Sequence, residues 1–232
     1  MKPEVRMPLD KATYLRLCCV SGLLGSLLFL AGDMLFYGTW SSGAAFRPHE
    51  QMAELAVRLL VIGGAIGPVA ALFSAIGMGV FGITLERGNK RTANVAAALL
   101  AIMMLIGGSY HAVYTCLGFA SKVIDDSTRQ TLLVEVASLR SAIGYPLYAA
   151  GLTGTALVYW LALTKKTDFP RWLLLFLPTT LSLTASAFRD YFVMIPAPVG
   201  FVIRGGWING SFALFFVIAA LRFWKSPSSE VR

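Results

Sequence analysis

Polar and charged positions cluster along this chain, and six apolar runs separate the clusters, at 14–38, 54–85, 94–119, 139–163, 171–195 and 198–223. Each run exceeds the roughly 20 residues that an α-helix needs to cross the hydrocarbon of a bilayer. The pattern predicts an all-α integral membrane protein, one six-transmembrane-helix bundle occupying residues 1–232. Within the second run, Gly63, Gly67, Ala71, Ala75 and Gly79 recur every fourth residue. That spacing puts small side chains on one face, where a neighbouring backbone can come close. Pro68, Pro146 and Pro178 are expected to bend their helices or free a carbonyl.

The connections alternate in charge. Lys2, Arg6, Lys11 and Arg16 precede or open the first run, and Arg87, Lys90 and Arg91 join the second to the third. Lys165, Lys166 and Arg171 join the fourth to the fifth, and Arg222, Lys225 and Arg232 lie at the end. The intervening connections, "TWSSGAAFRPHEQMAE", "SKVIDDSTRQTLLVEVAS" and "MIPAP", carry few basic residues. By the positive-inside rule both termini are expected in the cytoplasm. The first run is longer than the roughly 7 to 15 apolar residues of a signal peptide, so it is expected to stay as a helix.

Composition agrees with this reading: 56% of residues are hydrophobic, 14% are charged, and the mean hydropathy is +0.68. Those values exclude a soluble domain of this size. The net charge of +8 is carried largely by the short basic connections, so no nucleic-acid partner is expected. Cys18 and Cys19 are adjacent and Cys116 stands alone, which is neither a disulfide framework nor a zinc spacing. No metal or cofactor is expected. Gly77, Gly79 and Gly82 spell a dinucleotide fingerprint, but no strand precedes them inside this apolar run. A multi-pass protein of a bacterial cytoplasmic membrane is the expected localisation.

Intramembrane polar residues gather toward the end of the bundle opposite the basic connections. Asp33 and Tyr37 lie one turn apart near the end of the first helix, and Glu54 and Arg58 have the same spacing in the second. His111 and Tyr114 share a face of the third. Arg140 opens the fourth, followed by Tyr145 and Tyr148; Arg189 and Asp190 adjoin in the fifth, and Arg204 and Asn209 lie in the sixth. A charge at mid-membrane costs about 2.5 to 3.5 kcal/mol on insertion scales, so such residues persist mainly when paired, facing the bundle interior or functional. Arg58, Arg140 and Arg204 taken singly could instead snorkel to lipid phosphates.

Together the residues outline a polar pocket with membrane lipids around it. Arg58, Arg140, Arg189 and Arg204 outnumber Asp33, Glu54 and Asp190 by four to three. A small positive excess suits an apolar molecule with an anionic group, which guanidinium forks grip well. Asp33 and His111 are the candidate acid and base, because histidine titrates near neutrality and needs a partner within direct reach. Arg58, Tyr114, Arg140, Tyr145, Arg189, Asp190, Arg204 and Asn209 are the candidate ligand-binding residues. Arg189 is expected to face Asp33, and Asp190 to meet Arg140 or Arg204. The leading expectation is an enzyme transferring a proton on a lipid-like or terpenoid-like molecule. The alternative is a small-solute transporter, receptor or membrane assembly factor using the pocket for binding only. The Ser–His pairing of rhomboid proteases and the several-histidine zinc set of ceramidase-like hydrolases are both missing.

Overall fold

A computed structural model describes residues 10–37, 48–187 and 199–224, and every regular element among them is helical. In chain order these are α1 (Lys11–Phe36), α2 (Pro48–Glu54), α3 (Val57–Gly77), α4 (Gly79–Ser121) and α5 (Asp126–Thr164). A short 3₁₀ helix (Arg171–Phe176), α6 (Pro178–Ala187) and α7 (Val199–Trp224) follow. Four helical stretches are long and apolar enough to cross a membrane: Lys11–Phe36, Val57–Ser121, Asp126–Thr164 and Ile203–Trp224. The chain is a multi-pass membrane protein, and its outer surface is correspondingly apolar. Leu17, Val20, Leu24 and Leu27 on α1 and Val61, Val69, Leu72 and Ile76 on α3 are all exposed. In water such continuous apolar faces would drive association, whereas lipid satisfies them.

Local chemistry sets the element boundaries. Asp10 caps α1 by accepting from the Thr13 N–H at 2.8 Å. The 43 residues of α4 are two arms, because Asn89 has extended backbone angles of φ −170° and ψ 108°. Its side-chain oxygen caps the second arm by accepting from the Thr92 N–H at 3.0 Å. The chain reverses at that point. A Cβ added to Gly82 would stand 3.5 Å from Ala97, a residue that a straight helix would hold about 22 Å away. Asp125 caps α5, accepting from the Thr128 N–H at 2.7 Å.

Several expected boundaries are corrected. Residues 54–85 are not one helix: Leu55 and Ala56 interrupt it, and Ala56 is extended at φ −61° and ψ 137°. Glu54 and Arg58 therefore do not share a helical face. The fourth run extends back to Asp126, so Arg140 sits within α5 rather than opening it. Pro178 does not bend a helix; it starts α6. A residue before proline is disfavoured in helical angles, and Leu177 accordingly takes ψ 139° between the 3₁₀ helix and α6.

Neighbouring helices pack antiparallel, α1 between α3 and α7, and the second arm of α4 between α3 and α5. The small-residue stripe of α3 serves two partners. Gly63 approaches α1 beside Phe36 and the Gly32 carbonyl, whereas Gly67 approaches α4 beside His111 and the Gly108 carbonyl. On α1, Gly25 faces the Ala70 carbonyl and the Ser74 N–H of α3. One apolar core, including Leu85, Val158, Leu161, Leu173, Phe215 and Phe216, fills the larger part of the bundle. A smaller one, with Phe36, Tyr37, Met52, Leu55, Leu60 and Leu117, fills the other end. Beyond the large core, Lys11 pairs with Glu86 at 2.6 Å and Arg87 with Asp168 at 2.7 Å.

Candidate functional site

Asp33, His111 and Asn209 meet where α1, α4 and α7 converge, with α3 alongside. Asp33 and His111 are buried, at 8% and 6% exposure. His111 reaches the interior because Gly32 and Gly67 leave room for its ring: a Cβ on either would come within 2.9 Å of it. Its Nε2 lies 3.1 Å from the Gly63 carbonyl. A carbonyl only accepts, so this contact assigns the proton to Nε2 and leaves Nδ1 as the exchangeable face. Nδ1 stands 3.6 Å from Asp33 Oδ1. The other carboxylate oxygen, Oδ2, accepts from the Asn209 amide at 2.6 Å. Asn209 thus holds the carboxylate with its free oxygen toward histidine. Phe29 and Phe36 flank the imidazole, with ring centroids 5.5 Å and 4.9 Å away.

A second polar group lies between α4 and α5. Arg140 Nη2 donates to the hydroxyls of Tyr110 at 3.0 Å and Tyr114 at 2.9 Å. Its guanidinium carbon also lies 4.4 Å from the centre of the Tyr114 ring, a cation–π distance. Tyr114 connects the two groups. It packs against the cluster that holds Tyr37, one turn beyond Asp33, and its ring stacks on Phe36 at 5.9 Å. Beside Arg140 is a cavity of about 280 Å³ lined in part by Tyr110, Ser141, Gly144, Tyr145 and Tyr148.

The remaining sequence-predicted residues are distributed differently. Arg58 is exposed on α3, so it does not join the buried group. Tyr145 is 76% exposed and lines the cavity's rim. Arg204 is half-buried near the start of α7. Arg189 and Asp190 lie outside the described residues, and with them the expected pairings to Asp33, Arg140 and Arg204. Among the described residues Asp33 meets a histidine and an amide, and Arg140 meets phenols rather than a carboxylate.

Three contributors escaped the sequence reading. Tyr110 lies one turn before Tyr114, and that spacing could have revealed it. The Gly63 carbonyl is invisible in sequence except through the small residues that let α3 approach. Lys122 follows the last turn of α4, where its ammonium donates to the Ala53 carbonyl at 2.7 Å and to the Leu55 carbonyl at 2.5 Å. It satisfies backbone groups that the break between α2 and α3 leaves without helical partners.

Residues 8–226 match the model of a family of unknown function, DUF6796, and the chain belongs to that family. No curated protein and no solved structure matches the chain.

Proposed function

We propose that this protein is a six-crossing membrane enzyme, with both termini cytoplasmic, that transfers a proton on a lipid-like or terpenoid-like molecule. In this reading residues 1–232 form a single domain, the apolar run 171–195 supplies the fifth crossing, and the membrane is a bacterial cytoplasmic one. Asp33 and His111 are the acid–base pair. The observation that carries the proposal is a carboxylate and an imidazole 3.6 Å apart, buried where four helices meet and walled by phenylalanine.

The neighbours suit that chemistry. Gly63 holds the Nε2 proton, so exchange occurs at Nδ1; Asn209 engages one carboxylate oxygen and leaves the other for the proton. General acid–base catalysis needs the reacting atom within direct reach or one water of such a pair. The contacts from Phe36 through Tyr114 to Arg140 support entry of substrate from the α4–α5 side, with its polar end toward Arg140. A binding-only role as transporter, receptor or assembly factor is favoured instead by the opening of the Arg140 cavity at exposed tyrosines, away from the buried pair.

Mass spectrometry of molecules that co-purify with the protein, followed by incubation in deuterated water, tests the proposal. A bound amphiphile should gain deuterium at carbon with wild type but not with Asp33→Asn or His111→Phe. A molecule that stays bound but gains no deuterium with wild type would reject proton transfer in favour of binding alone.

A further inference from the structure

We infer that the Arg140 cavity is a binding site for the phosphate group of a membrane lipid, whose tail lies along the exposed stripe Tyr145–Tyr148–Leu152 of α5. Among the described residues no carboxylate lies within ion-pair distance of Arg140, and its half-buried guanidinium is surrounded by phenols that leave its charge uncompensated. Its Nε is buried and has no hydrogen-bond partner. An unneutralised guanidinium beside a cavity calls for an anion, and its fork matches phosphate oxygens.

The cavity wall supplies further donors. Tyr110 accepts from Arg140 through its oxygen, which leaves its own O–H group able to donate. Tyr145 and Tyr148 bring two more hydroxyls to the lining, and Ser141 spends its proton on the Ala137 carbonyl. A wall rich in donors and lacking carboxylates selects an oxygen-rich anion over a cation or an amine.

Size and surface identify the carrier of that anion. At about 280 Å³ the cavity falls below the roughly 300–1,000 Å³ of pockets that enclose a whole drug-sized ligand, so it accommodates a headgroup fragment. Tyr145, Tyr148 and Leu152 are 76%, 59% and 66% exposed. Their spacing of three and four residues makes one continuous face leading away from Arg140 along α5. An acyl chain anchored at the phosphate would follow that face. The site rests on the reading above in that it would anchor the same lipid-like molecule, but its occupancy does not require proton transfer.

Native mass spectrometry in neutral detergent tests the site, with phosphatidylglycerol as probe, a phosphate-free glycolipid as comparison and inorganic phosphate as competitor. Wild type should retain phosphatidylglycerol in preference to the glycolipid. Arg140→Ala should bind it about ten- to a hundredfold more weakly, the range of one lost charged hydrogen-bonding group. Arg140→Lys should fall between the two. Gly144→Leu keeps the arginine and tests occupancy separately. A Cβ at Gly144 meets only ordinary contacts at 3.6 Å and 3.7 Å with Tyr148 and Tyr110, so the added side chain fills the cavity. Equal retention of the two lipids, or undiminished binding by both Arg140→Ala and Gly144→Leu, would overturn the inference. Displacement of the lipid by inorganic phosphate alone would overturn the lipid as occupant. Failure of proton transfer would be seen only in the deuterium measurement, with phosphatidylglycerol still bound.

Discussion

Gly25→Ala is the sharpest test of how α1 is held against α3. A Cβ at this position would lie 2.5 Å from the Ser74 nitrogen and 2.6 Å from the Ala70 carbonyl oxygen. Ordinary contact begins at 3.4 Å, so the two helices must separate by about 0.9 Å. Two of the obstructing atoms are backbone, which cannot rotate away as a side chain can. Overpacking costs about 1 to 3 kcal/mol, and backbone obstruction puts this site at the upper end. Replacing a helical glycine returns about 0.5 to 1 kcal/mol, leaving a net loss of about 2 kcal/mol. For a domain of this size that corresponds to a melting temperature lower by about 4 to 8 °C. Gly107→Ala is the matched control, because its Cβ would meet only a Leu147 methyl at 3.8 Å. Thermal melting in detergent should therefore show Gly107→Ala equal to or above wild type and Gly25→Ala well below it. Equal melting of Gly25→Ala and wild type would refute the close approach of α1 to α3.

Lys122→Met should cost about 1 to 3 kcal/mol by leaving the Ala53 and Leu55 carbonyls without their donor, and should speed proteolysis between α2 and α3. At the α5 start, hydrogen bonds from the Thr128 hydroxyl and N–H, then from Ser127, hold the Asp125 carboxyl down to about 2 from its ordinary 3.8. Because the folded value is depressed, its contribution is complete above pH 3.8 and fades as the pH falls to about 2. The melting difference between wild type and Asp125→Ala should shrink over that interval; a difference that grows there would refute the cap. Arg87→Ala should lower stability by less than about 1 kcal/mol, since the Arg87 side chain is 47% exposed; a larger loss in melting would make the Arg87–Asp168 pair a true clamp. For topology, cysteines introduced at Ser42 and Asp126 in a cysteine-free background should react with an impermeant outside reagent, whereas those at Asn89 and Thr167 should not.

Apolar run length made the helical membrane class legible, and helix spacing made Asp33, His111 and Asn209 candidates. Their meeting depended on which faces of three distant segments turn inward. Residue depth suggested that outcome, and the Gly32, Gly63 and Gly67 approaches give it physical form. The interruption at Leu55 and Ala56 was hidden because both residues are apolar and continue the hydropathy pattern; it depends on a lysine almost seventy residues away. Proline was legible in kind but not in position: Pro146 lies within a helix, as expected, whereas Pro178 begins one. Arg140 was read as a candidate partner for acid. Its phenolic surroundings follow from the register of α5 against α4, which no local pattern in either helix encodes.

The hydrogen bond between Asp33 and Asn209 spans 176 residues, and that separation has a consequence for biogenesis. At a synthesis rate of about 5 to 20 residues per second, α1 enters the membrane about 10 to 35 s before Asn209 is made. Throughout that interval the carboxyl of Asp33 lacks its amide donor, and until α4 arrives it lacks His111 as well. The nascent chain thus carries an unsatisfied acid in its first helix until its last one docks. Docking of α7 becomes a completion signal, and chains arrested before residue 209 should be preferentially recognised by membrane proteases.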